Sequence, residues 1–158
     1  MRNKFLLIVA IFLLRISIDA QTPSPQTAAP NDSNVRPPVT EVDVRIVKRA
    51  REILNSPAKW NRADNRVCPD SAKAVSLYCA LQVATKEVTG DANHRGAALQ
   101  EARFVVDEIS FGRNYEHRLM NYNNDPTTTF EDVQEVLAIA ERLITLRLKT
   151  GPTTTPRQ

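Results

Sequence analysis

The sequence predicts an all-α fold, a small four- or five-helix domain of orthogonal or bundle-like packing, and three observations carry that prediction. Apolar residues recur at steps of three and four in four separate segments. Helix start and stop residues bracket those segments. No stretch alternates polar and apolar side chains for long enough to argue for a sheet.

The first helix starts at Thr40, a capping residue with Asp43 three positions on. Ile46, Val47, Ala50, Ile53 and Leu54 then share one face, and Pro57 ends the run. A second helix is expected from about Ser71 to Val88, with Ala74, Val75, Tyr78, Leu81 and Val88 inward and Gly90 as its stop. A third covers about Ala97 to Ile109, with Ala98, Ala102, Val105 and Ile109 as its stripe before Gly112. Between Arg113 and Asn124 the pattern supports a short helical turn carrying Leu119 and Met120. The last helix runs from about Phe130 to Leu148, aligning Phe130, Val133, Leu137, Ala140 and Ile144.

The polar stretch NYNNDPTTTF, residues 121–130, leads into that last helix. Thr129 followed by Asp132 repeats the capping pattern, and Glu131 with Asp132 suits the positive end of the helix dipole. Asp125-Pro126 starts a turn whose carboxylate can hold the backbone two residues on. Cap and turn chemistry thus explains most of this polarity.

Outside the helical region the composition changes. Residues 1–20 open with Arg2 and Lys4, run FLLIVAIFLL from Phe5 to Leu14, and end on Ala20, the pattern of a signal peptide. Ten apolar residues are too few to span a bilayer, so no transmembrane segment is expected after cleavage. The protein is therefore expected to be secreted or periplasmic. Of 21 basic and 18 acidic residues, Arg2, Lys4, Arg15 and Asp19 leave with the leader, so 18 and 17 remain and the net charge falls to +1. A near-neutral surface excludes nucleic acid as a partner, since phosphate binding needs clustered cations. Residues 21–39 hold five prolines and almost no large apolar group, which predicts a disordered linker containing a glycosylation sequon at Asn31. The domain proper is expected over residues 40–149, followed by a disordered tail, 150–158.

Little chemistry is legible. Cys68 and Cys79 are the only cysteines, and an even count in an exported chain predicts a disulfide. If the second helix starts at Ser71, Cys79 lies about 12 Å along its axis. A bridge needs Cα atoms within about 7 Å, so either Cys68-Pro69-Asp70 folds back or the helix starts later. His94 and His117 lack further ligands at metal spacing, so neither a metal nor a cofactor is expected. Trp60, Tyr122, Asn124 and Asp125 make up a candidate binding surface for an unknown protein or small-molecule partner.

Some of these residues carry a resemblance. The segments Ile53 through Trp60, Tyr78-Cys79-Ala80-Leu81, and Asn124-Asp125 ahead of Val133, Leu137 and Ala140 resemble a bacterial family of short helical domains of uncharacterised function. Members pair an aromatic-Cys-x-x-Gly-Ala segment on an early helix with an Asn-Asp turn before a late one. The resemblance implies a fold and no activity. The reading is thus a non-enzymatic binding or structural module, with a hydrolase-type enzyme using His117, Asp125 or Cys79 as the alternative.

Overall fold

The computed structural model describes residues 36–151. The expected leader, most of the expected linker with Asn31, and the tail from residue 152 lie outside the described residues. Among the described residues there are five α-helices: α1 (Glu41–Ile53), α2 (Leu77–Thr89), α3 (Ala97–Ile109), α4 (Arg118–Asn124) and α5 (Phe130–Thr150). A 3-10 turn, Pro57–Lys59, follows α1.

α1 forms where a capping pair meets an apolar stripe. The backbone N–H and the hydroxyl of Thr40 both donate to Asp43 Oδ2, at 2.8 and 2.9 Å. The other Asp43 oxygen accepts the N–H of Ala98 at 3.1 Å, in the first turn of α3. Gly96, which precedes α3, has no side chain to cap that turn, so Asp43 caps it from another helix. One carboxylate thereby fixes where two helices begin.

The stripes meet in a single core. α1 lies between α2 and α5, α5 also packs on α3, and α4 closes against α2 and α3. Leu54, Leu77, Leu81, Leu99, Leu137 and Ile144 are fully buried there. Each contributes about 1.5–3 kcal/mol relative to exposure, so truncating any one to Ala costs about 2–5 kcal/mol.

A buried charge also sits against this core. Glu101 of α3, 1% exposed, receives Arg36 on one oxygen at 2.6 Å and Arg147 of α5 on the other at 2.7 Å. Arg147 also donates to the Pro37 carbonyl at 2.7 Å, and Val39 packs against the core. Arg36 to Val39, the end of the stretch expected as linker, is therefore fastened to the domain.

Most helix bounds match the sequence pattern, with two differences. α2 begins at Leu77 instead of Ser71. The backbone before it is diverted into an isolated bridge with the 3-10 turn. Val75 N–H donates to Lys59 O at 2.8 Å, and Asn61 N–H donates to Val75 O at 3.0 Å. Ser76 then caps the helix, its hydroxyl accepting Cys79 N–H at 3.2 Å. At the other end Gly90 takes φ 82°, which only glycine adopts without strain, and stops α2 as expected. The second difference is Ile109, placed on the α3 stripe by spacing but 42% exposed. It is the last residue of α3, and the chain turns away immediately after it.

Candidate functional site

The longest irregular segment between described helices runs from the 3-10 turn to α2, and α4 holds it down with two adjacent asparagines. Asn123 is fully buried. Its Oδ1 accepts Trp60 Nε1–H at 2.8 Å and Leu77 N–H at 3.0 Å, while Nδ2 donates to Asn61 O at 3.0 Å. Asn124 pairs with Asp64 in both directions, and its Oδ1 also accepts Asn123 Nδ2–H at 3.1 Å. Its Oδ1 accepts Asp64 N–H and its Nδ2 donates to Asp64 O, each at 2.8 Å. A side-chain amide presents a donor and an acceptor as a peptide unit does, so Asn124 pairs with Asp64 as a neighbouring strand would.

The other end of the loop is pinned covalently. Cys68 and Cys79 form a disulfide with Cα atoms 5.3 Å apart. The late start of α2 makes this possible: Cys79 lies in its first turn, within reach of Cys68. Cys79 therefore offers no thiol.

Asp125 follows the asparagines and is fully engaged. Oδ1 accepts the Thr127 hydroxyl at 2.6 Å and the Thr127 N–H at 2.9 Å, and Oδ2 accepts the Tyr115 hydroxyl at 2.9 Å and Arg113. The Thr127 hydroxyl and N–H, then the Tyr115 hydroxyl, hold its carboxyl well below the usual carboxylate range. Such a group stays an anion and is poorly suited to proton transfer near neutral pH. His117 is not among its hydrogen-bond partners; the His117 N–H donates to Asn121 Oδ1 at 2.7 Å.

Trp60, Asn124 and Asp125 thus lie close together around the start of the loop. Trp60 is half-buried, its ring 6.2 Å from that of Phe130. Arg62 stacks 5.2 Å from the Trp60 ring and donates to the carbonyls of Asp125 and Pro126 at 3.0 and 3.1 Å. Tyr122 is placed differently. It is 8% exposed within the core, edge-on to Tyr115, and burial pushes its hydroxyl well above the usual phenol range. Arg66 lies 5.9 Å from the Tyr78 ring, and in α3 the Arg103 guanidinium is pushed below its ordinary value by burial, with Arg118, Arg66 and Arg95 adding to the effect and Tyr78 opposing it.

Under the loop is a cleft of about 200 Å³ bounded by Asn61, Asp64, Asn65, Val75, Ser76 and the disulfide. Asp64 is 6% exposed. Its Oδ1 accepts Arg66 N–H at 2.7 Å, and its Oδ2 has no hydrogen-bond partner. No group of three or more His, Cys, Asp or Glu suited to a metal ion occurs among the described residues.

Sequence reasoning named neither Arg62 nor Asp64, and Asn123 entered it only within the polar stretch 121–130. The one local signal was the doubled amide at the end of α4, ahead of Asp-Pro, where side chains of that kind can reach a neighbouring backbone.

The chain belongs to a family of unknown function, DUF6197, whose pattern matches residues 38–143. No curated protein and no solved structure matches it.

Proposed function

We propose that the protein is an exported, non-enzymatic recognition module, a helical platform that presents loop 61–76 to a partner outside the cytoplasm. The observation that carries this reading is the fastening of the loop. Two buried or bridging asparagines, one disulfide and the Trp60–Val75 bridge all hold one irregular segment. Binding residues concentrate on loops that a rigid scaffold positions, because immobilising them beforehand removes an entropic cost of association.

The loop carries exposed side chains that can serve recognition: Val67 is 65% exposed, and Arg62 and Arg66 are exposed as well. Export is supported by the basic start and apolar run of residues 1–20 and by the disulfide, which persists in oxidising compartments. No described helix is long and apolar enough to cross a membrane. The hydrolase alternative loses its thiol to the disulfide, and Asp125 is held by Arg113, Tyr115 and Thr127.

Intact-mass measurement of exported protein tests the compartment, with a mature start at or within a few residues of Gln21 expected. Retention of residues 1–20 refutes it. For recognition, affinity capture from the exported fraction of the host compares the wild-type mature chain with an Arg62→Ala, Val67→Ser double variant. Both positions are exposed, so the fold should hold. One species kept by the wild type and lost by the variant is expected; equal capture by both removes the loop from the mechanism.

A further inference from the structure

We propose that Arg66, Arg95 and Arg103, gathered beside Tyr78, receive the phosphate group of a small soluble phosphate monoester. The inference rests on the reading of loop 61–76 as a recognition element, to which Arg66 belongs, and names a ligand class for it. Each contact these arginines make is to an uncharged group. Arg66 lies 5.9 Å from the Tyr78 ring. Arg103 of α3 is half-buried, and its Nη1 donates to His94 O at 3.0 Å and Gln100 Oε1 at 2.9 Å. The bond to His94 brings in Arg95, the next residue along the chain. No ion pair among the described residues involves any of the three. Arg118, whose charge also reaches Arg103, is paired with Asp107 at 3.2 Å. Burial and then these like charges push the Arg103 guanidinium below its ordinary value, with Tyr78 opposing. A half-buried cation among like charges, with no carboxylate against it, is unfavourable in the free chain. Its Nε and Nη2 make no hydrogen bond among the described residues, and neither is sealed from solvent, so both donors are open to a ligand.

The backbone carries an independent sign. Arg66 is the one non-glycine residue at positive φ, 62°, among the described residues. That conformation is costly for a side chain of this size and persists only where the surroundings impose it. Here Asp64 Oδ1 accepts Arg66 N–H at 2.7 Å, Asn124 grips the Asp64 backbone, and the disulfide fixes Cys68 two residues on. Strain of this kind gathers at ligand-binding positions. A guanidinium fork matches two oxygens of a phosphate group. A phosphate monoester carries about −1.5 to −2 at neutral pH, whereas a carboxylate or a phosphodiester carries one negative charge, so three cations favour the monoester. A nucleic-acid backbone would need a longer run of cations.

The test is an NMR titration of the oxidised mature protein with methyl phosphate at about pH 7.5, above the second phosphate pKa, at constant ionic strength. Both backbone amides and arginine Nε–H groups are followed. Dimethyl phosphate, a singly charged diester, and acetate serve as parallel arms. Saturable shifts at Arg66, Tyr78, residues 93–95 and Arg103 are expected with methyl phosphate at about 1–10 mM, and binding at least about tenfold weaker with the other two. Arg103→Gln should weaken methyl phosphate at least about tenfold. Arg66→Gly relieves the positive φ, so it should weaken binding similarly while Tm holds or rises. Lys48→Ala removes the same charge from α1, where it faces Glu141 of α5, and should leave binding unchanged. Spectra of the free variants establish that they are folded. No saturable shift up to about 100 mM, a nonspecific level of affinity, overturns the proposal. So does equal binding of acetate or dimethyl phosphate, or an equal loss in Lys48→Ala. A lowered Tm with unchanged affinity in Arg66→Gly would mark Arg66 as structural and also overturn it. Partner capture that depends on Arg62 and Val67, with no methyl phosphate binding, would sink this inference and leave the recognition reading standing.

Discussion

Replacing Asn123 with Ala should be among the most damaging single changes to a polar residue in this domain. The substitution removes partners from Trp60 Nε1–H, Leu77 N–H and Asn61 O at once. Leu77 is fully buried, so its N–H cannot turn to water, and leaving it unpaired costs about 1–3 kcal/mol. The half-buried Trp60 and the exposed Asn61 recover part of their loss from solvent and add about 1 kcal/mol together. The expected loss is about 3 kcal/mol, equivalent to a fall in Tm of about 10 °C for a domain of this size. Asn123→Asp should be nearly as costly, because a carboxylate oxygen would then face the Asn61 carbonyl. Chemical denaturation under oxidising conditions measures the loss. Trp60 is the only tryptophan, so its emission reports separately on the broken indole bond. A loss under about 1 kcal/mol with unchanged Trp60 emission would refute the view that Asn123 organises the loop.

Three further outcomes are expected. Thr129→Ala should lower stability by about 1 kcal/mol, because the Thr129 hydroxyl accepts Asp132 N–H at 3.2 Å and caps α5; thermal unfolding checks it, and no change would show the cap to be idle. Converting Cys68 and Cys79 together to Ser should cost about 2–3 kcal/mol by freeing the unfolded chain, measured against the oxidised parent, and an equally stable variant would show the bridge to be dispensable. Asp125 has a depressed folded-state pKa, so its contribution is complete above the ordinary carboxylate pKa and declines as pH falls below it. Stability measured from about pH 5 down to about pH 3 should therefore fall less steeply in Asp125→Asn than in the wild type; identical slopes would contradict the assigned bonds.

What the sequence revealed was what neighbouring residues decide. Thr40 with Asp43, Thr129 with Asp132, and Gly90 each act within one turn, and the bounds of α3 follow from its own apolar spacing. The start of α2 was not legible, because the backbone before it is engaged by Lys59 and Asn123, and Asn123 is 46 residues from Leu77. Helical spacing continued through Ala74 and Val75, and nothing local marked those residues as extended. The candidate surface was legible in part. The Asn-Asn-Asp run was conspicuous, but its partners Asp64 and Trp60 lie about 60 positions away and no spacing rule connects them. Glu101 was hidden for the same reason, its cations being 65 and 46 residues distant.

That glutamate has a mechanical consequence. Arg36, at the entry to the described domain, and Arg147, in the last turns of α5, converge on one carboxylate. A pull applied at Arg36 is therefore borne first by Glu101 and Arg147, which lead into α3 and α5, and α1 is not peeled from its neighbours until that junction yields. Because the junction is ionic, with Arg36 about one-third exposed and Glu101 sealed, its strength under load should rise as salt is lowered. The domain would then resist being drawn by its N-terminal side more firmly than the packing of α1 alone provides.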